Sequence, residues 1–234
     1  MNNKNNFDTY LFLGKEKIEI LVKKKDDSEN YYNKDFFLDK KNEDNNFILL
    51  NEFLNENIFK IEKKLNFFVE DIYLIIEDKN FLTIEISLKK ENDINLINQR
   101  NLKYLLKDAK TQINESYKDQ KIIHMIINNY LIDNNYHKHF PKNINCDQLS
   151  VSITFICISK SHIKNLENIF RDYQIKIHQI ISAQYLNDYF EGEQSNIFTR
   201  CQQALKGHNE NEVLLVPKTS KSMGFFEKLF LFFN

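Results

Sequence analysis

Residues 164–189 read KNLENIFRDYQIKIHQIISAQYLNDY, and the way this stretch is divided decides the fold. Its upstream half belongs to a helix expected over 161–173, with the Ser161 hydroxyl placed to accept an orphan backbone amide at the helix start. Residues 174–182, QIKIHQIIS, read as a strand, and 182–190, SAQYLNDYF, open a second helix. Helix, strand and helix therefore follow one another through this stretch. Working upstream, 149–159 (LSVSITFICIS) is a buried strand, and 121–133 (KIIHMIINNYLID) is a strand running into a polar loop that reaches Asp147. Residues 95–114 form a helix with Leu102, Leu105, Leu106, Ala109 and Ile113 on one face.

Nearer the start, 9–23 read as two short strands around a turn at Gly14, and 23–35 as a polar loop or hairpin tip. A helix is expected over 51–65, where Phe53, Leu54, Ile58, Ile61 and Leu65 keep helical spacing. Residues 69–78 and 81–90 are strands, the second alternating with period two. Downstream of Phe190 a short helix is expected over 197–206, then a linker containing Pro217. No internal repeat is seen.

The chain has 234 residues, 42% hydrophobic and 28% charged, within the range of globular domains and enough for a core without metals or disulfides. Its 4 glycines, 2 prolines and absent tryptophan, set against abundant Asn, Lys, Ile and Phe, follow A/T-rich codon usage. The Asn-rich patches are read as drift on that ground, not as a prion-like segment. A net charge of −1 gives no electrostatic reason to expect nucleic acid. Three cysteines, Cys146, Cys157 and Cys201, lack paired spacing and fit a reducing cytoplasm. The apolar run Tyr10–Leu13 is too short for a signal-peptide core, and no stretch reaches the roughly 18 apolar residues of a spanning helix.

The last ten residues hold five phenylalanines. On a helical wheel Met223, Phe225, Phe226, Leu229, Phe230, Phe232 and Phe233 fall within half the circumference, with Lys221, Gly224, Glu227, Lys228 and Asn234 opposite. Such a helix can lie in a bilayer interface, each buried Phe or Leu contributing roughly 1.5–3 kcal/mol before ordering costs. The alternative, a terminal helix folded back onto the core, fits less well behind the tether-like residues 207–222.

Several of these stretches together resemble the bacterial cell-division protein FtsA, of the actin-like family. In its central pattern of a basic residue, two apolars, His, apolar, Ile, Pro-Gln-x-Tyr-x-Ile-Asp, this chain supplies Lys121, His124, Ile126, Asn128, Tyr130, Ile132 and Asp133, with Ile127 at the proline. Lys164, Asn165, Leu166, Lys176, Gln179, Ile180, Ile181 and Tyr189 keep the frame of the family's following helix, strand and helix. Residues 69–86 resemble the strand pair before the family's insertion subdomain, and the tail resembles its C-terminal membrane-targeting helix.

The resemblance implies an α+β fold: a degenerate actin-like subdomain over 1–93, an insertion subdomain over 94–181 built as a small mixed sheet (helix-strand-strand-helix-strand), and returning helices over 182–206. A linker over 207–220 and an amphipathic membrane-targeting helix over 221–234 complete it. In the family an acid and a hydroxyl flank the glycine of the first phosphate hairpin. Here the matching residues are Phe12, Gly14 and Lys15, and the second phosphate hairpin and adenosine pocket have no counterpart. No cofactor is therefore expected.

The subdomain on which the filament protein FtsZ docks is also missing, so FtsZ stays among the candidate partners but its binding is not carried over residue by residue. The implied role is an adaptor on the inner face of the cytoplasmic membrane, at the division site. Its implied partners are the lipid surface, division proteins through 94–181, and further copies of itself. A pilus- or secretion-assembly adaptor resembling PilM is the alternative, and a small enzyme the third reading. His137, His139 and Cys146 share a loop but match no zinc spacing and lack a fourth ligand. His124 reads as a satisfied strand histidine, His178 has no fixed role, and Cys201 is a small core residue. Asp26, Asp27, Glu43 and Asp44 lie in solvated charge runs, and no carboxylate pair is placed for general acid–base work.

Overall fold

The computed structural model describes residues 6–25, 30–38, 46–91, 99–140 and 145–215. In chain order its elements are β1 (Phe7–Leu13), β2 (Lys17–Lys24), β3 (Asn30–Phe37), α1 (Asn46–Leu65), β4 (Asp71–Ile76), β5 (Leu82–Glu91) and α2 (Gln99–Ser116). There follow β6 (Gln120–Ile132), β7 (Asn135–His137), β8 (Gln148–Ser159), α3 (Lys160–Asp172), β9 (Lys176–Ser182), α4 (Ala183–Tyr189) and α5 (Ile197–Leu205). The fold is α+β. Two units share the chain, one taking Met1–Lys79 and Ser161–Gln202, the other Asn80–Lys160 and Gln203–Asn234.

The first unit holds a five-stranded sheet in the order β3-β2-β1-β4-β9. β1, β2 and β3 run antiparallel, while β4 lies parallel to β1 and β9 parallel to β4. Strands covered on both faces read as apolar runs without alternation, and Leu11, Ile20, Leu21, Val22, Leu74, Ile75 and Ile181 are buried accordingly. Leu50, Leu54, Ile58, Ile61 and Leu65 line one stripe of α1 and are buried. Asn57 interrupts that stripe with purpose: its Nδ2 donates to Phe53 O at 2.7 Å, and its Oδ1 accepts the Tyr32 hydroxyl of β3 at 2.7 Å.

That tyrosine belongs to a strand where a polar loop was expected. β3 is an edge strand paired to β2 from Lys17↔Phe37 to Lys23↔Asn30, and most of its side chains are exposed. An edge strand with neither face buried carries no period-two signal, which is why 23–35 reads as loop.

The second unit holds a four-stranded sheet, β5-β8-β6-β7. All its pairings are antiparallel, which corrects the expected mixed sheet: β5 and β6 point the same way but β8 lies between them. Leu102, Leu105, Leu106, Ala109 and Ile113 of α2 pack with Met125, Ile127, Tyr130, Val151, Ile153 and Phe155 in one cluster. The polar loop expected after Asp133 contains a hairpin instead. Asp133 and Asn134 take φ values of 44° and 69°, the two left-handed positions of a tight hairpin turn, which Asp and Asn tolerate without glycine. The Asp133 carboxylate then accepts the amides of Asp147 and Gln148 at 3.0 and 2.9 Å, fixing the start of β8.

The expected boundaries at 93/94 and 181/182 are corrected too. β5, assigned to the first domain, pairs with β8 of the second unit along its whole length. Most of α3 and all of β9, assigned to the insertion, belong to the first unit, where β9 completes the sheet beside β4. Strand partners lie far apart in sequence, so local pattern cannot place these cuts. Ser161 sits inside α3, because β8 runs into that helix without a loop. The serine that caps is Ser182, whose hydroxyl accepts Tyr185 N at 3.3 Å at the start of α4.

Candidate functional site

The hairpin between β1 and β2 is where phosphate chemistry was sought. Gly14 N donates to Lys17 O at 2.9 Å, so the turn uses the glycine amide internally. A Cβ on Gly14 would stand 2.6 Å from the Phe12 ring; that ring lies over the glycine, which must stay bare to let it do so. Lys15 turns to the end of β4, its N donating to Glu77 Oε2 at 3.2 Å and its Nζ lying 3.7 Å from Glu77 Oε1. The hairpin thus offers an aromatic ring at Phe12, and its lysines, Lys15 and Lys17, face the carboxylates of Glu77 and Glu19.

A groove of about 450 Å³ opens elsewhere in the first unit, between the C-terminal half of α1 and the turn after α3. Phe59 and Phe68 stand exposed on it, at 71% and 78%, with Glu62, Glu70 and Asp172 around them. Glu62 Oε1 accepts Val69 N at 3.0 Å. Three carboxylates give this groove a field that repels a phosphate chain.

In the second unit the linker expected over 207–220 is, in its described part, a strap. Ile127 N donates to Asn211 O at 2.9 Å, Val213 N donates to Met125 O at 2.9 Å, and Ile126 bridges Glu212 antiparallel. Val213 and Leu215 are buried. The strap is held by the buried carboxylate of Glu212, which accepts Met125 N at 3.2 Å, Leu214 N at 3.2 Å and Leu215 N at 2.5 Å. His124, fully buried on β6, presents Nδ1 3.7 Å from the same carboxylate. Glu212 is the residue that sequence reading missed. Its signal, one acid before a short apolar run in NEVLL, is too brief to show a period.

The remaining candidates do not converge. His137 ends β7, His139 is exposed and Cys146 is buried; among the described residues no group of His, Cys, Asp or Glu is placed to hold a metal. His178 is exposed on β9, edge-on to Tyr73. Cys201 is buried, and burial, with Asp8 nearby, pushes its thiol up. Burial alone pushes the Cys157 thiol up to about 11. No helix among the described residues is long and apolar enough to cross a membrane. Asp26, Asp27, Glu43 and Asp44 lie outside the described residues. So do the expected membrane-binding residues Lys221, Met223, Phe225, Phe226, Lys228, Leu229, Phe230, Phe232 and Phe233.

No protein-family model matches the chain, and no curated protein does. Among solved structures, a Bacteroides thetaiotaomicron protein of unknown function with an actin-like ATPase fold matches 81% of this chain and 58% of its own, at 13% identity and TM-score 0.34. The PilM–PilN type IV pilus biogenesis complex matches 78% and 49%, at 6% identity and TM-score 0.45. The cytoplasmic domain of EpsL, an inner-membrane component of the Vibrio cholerae type II secretion system, matches 77% and 57%, at 10% identity and TM-score 0.34. The chain spans between 49% and 58% of these structures. None of the scores reaches 0.5.

Proposed function

We propose that the protein is a non-catalytic, actin-like adaptor that joins protein partners at the inner face of the cytoplasmic membrane. The observation that carries this reading is the second sheet-bearing unit, which enters the chain between β4 and α3, as the FtsA resemblance implied for a subdomain given to protein contacts. The β1–β2 hairpin supports the non-catalytic part. With Phe12 over Gly14 and Lys15 facing Glu77, it has Phe12 where the family's acid would act through magnesium, and the Gly14 and Lys15 amides are taken by Lys17 O and Glu77.

Two finer readings stand beside each other. One is a division-ring tether bound to the membrane through 221–234, drawn from the FtsA resemblance. The other is a pilus- or secretion-assembly adaptor of the PilM kind; PilM–PilN and EpsL come from such assemblies. Co-sedimentation with anionic phospholipid vesicles, with and without assembled FtsZ, separates them. A division tether carries the filaments into the pellet. A pilus or secretion adaptor pellets with the vesicles and leaves FtsZ in solution. Full vesicle recovery after deletion of 222–234 sinks the anchor, and measurable nucleotide turnover sinks the non-catalytic reading.

A further inference from the structure

We infer that the outer edge of β5 joins two copies of this chain, antiparallel, with the two-fold axis passing through Ser87. β5 pairs β8 over its whole length, from Leu82↔Cys157 to Glu91↔Gln148, with no register shift. Among the described residues no strand pairs its other edge. A long regular edge keeps its outward N–H and C=O groups in line, ready to template another strand.

The side chains choose both the partner and the register. Leu82, Ile84, Ile86 and Leu88 are half-buried against the core, while Thr83, Glu85, Ser87, Lys89 and Glu91 are exposed on the other face. Residues opposite one another in an antiparallel pair share a face, so a two-fold between identical strands must pass through a residue. Through Ser87, Glu85 meets the second copy's Lys89 twice over, and Ile86 meets Leu88 twice. Moving the axis to Ile86 leaves Glu85 opposite Ser87 and Lys89 opposite Thr83, with no charge pair. Moving it to Leu88 sets Glu85 against Glu91 twice. Axes at Glu85 or Lys89 put like on like.

Charge on an edge ordinarily discourages pairing; on β5 it favours the register through Ser87, since an axis at Lys90, which also sets Lys89 against Glu91, engages only the end of the strand and puts Lys90 on itself. In the isolated chain Lys89 pairs with Glu91 of its own strand. Glu85 Oε1 accepts the Thr154 hydroxyl at 3.3 Å, and Thr154 in turn meets Asn128 at 2.9 Å. This polar row crosses β6, β8 and β5 and ends at the edge, where Lys89 of a second copy continues it. The inference stands on this edge and does not depend on the adaptor reading.

Cysteine placement in the full chain tests it, because Cys146, Cys157 and Cys201 are all buried. Under mild oxidation Ser87→Cys should give a reducible dimer, and Glu91→Cys should give none, its two copies being eight positions apart across the axis. Sedimentation equilibrium supplies the second readout. Glu85→Lys turns both charge pairs repulsive and should weaken the dimer roughly tenfold. The exchange Glu85→Lys/Lys89→Glu should restore it, with an unchanged circular dichroism spectrum throughout. A chain that stays monomeric, equal cross-linking at both positions, or a dimer indifferent to Glu85→Lys overturns the proposal; the first outcome leaves the edge to a foreign strand.

Discussion

The second sheet ends in two edges that the chain treats differently. Along β6 the outer edge is covered twice, by β7 toward its C-terminal end and by Asn211–Val213 nearer its start. Along β5, no described residue pairs the outer edge. The strap makes only two backbone hydrogen bonds to β6, each contributing about 0.5–1.5 kcal/mol net, which is little against the entropy of ordering a segment that long. What makes it hold is the Glu212 carboxylate, whose bonds to three amides belong to the stronger charge-assisted class. The short β7 is held beside β6 by the turn at Asp133 and Asn134, whereas the strap has no such turn and is held by a buried anchor in its middle. The open edge has no such anchor, and its charges meet groups of its own sheet, Lys89 with Glu91 and Glu85 with Thr154.

The most damaging change should be one that serves both edges at once. Phe155 is fully buried on β8, paired to Ile84 on one side and Met125 on the other. Phe155→Ala should cost about 3–5 kcal/mol, read as a fall in the urea midpoint. Glu212→Ala breaks the contrast itself: about 2–4 kcal/mol should be lost as buried amides go unpaired. Hydrogen exchange at Ile127 and Val213 should rise toward the rates of the outward amides of β5. Protected exchange at both amides in that variant would show that the strap holds without its anchor.

A pH series sharpens the comparison at the strand between the edges, where Cys157 sits across from Leu82 and Ile122. Its thiol pKa is raised to about 11 in the folded chain, so the unfolded chain ionises first as pH rises. Stability is full below about 9, the ordinary thiol value, and should fall between 9 and 11. Cys157→Ala should make that part of the urea-midpoint profile less steep, the buried Cys201 thiol supplying part of the remaining slope. The smallest effect belongs to the open edge: Glu85→Lys should change monomer stability by no more than about 0.5 kcal/mol, measured at a concentration where no dimer forms.

The helices were readable because α1 and α2 bury stripes that repeat every turn, Leu50 to Leu65 and Leu102 to Ile113. β1, β2, β4 and β8 were readable as apolar runs. Three features were not, and the shortage of glycine lies behind one. Among the described residues Gly192 and Gly207 take left-handed positions, but Asn66, Asp133, Asn134 and Gln174 do so as well, so the β6–β7 turn carries no glycine signal and its hairpin reads as loop. β3 buries neither face and shows no period. The division into units depends on pairings such as Asp71↔Lys176, which no local pattern encodes. At the candidate site the turn at Gly14 between two strands was legible, whereas Glu212 was hidden in a segment that reads as tether.

The distance along the chain between Met125 and the carboxylate that binds its amide is 87 residues. A ribosome adding about 5–20 residues per second needs roughly 4–17 s to cover it. For that interval β6 has been made and its closing strap has not, so both edges of the nascent sheet stand open together. During its own synthesis the chain is therefore open to wrong pairing along β6 as well as β5, and Glu212 is the residue whose arrival closes the β6 side.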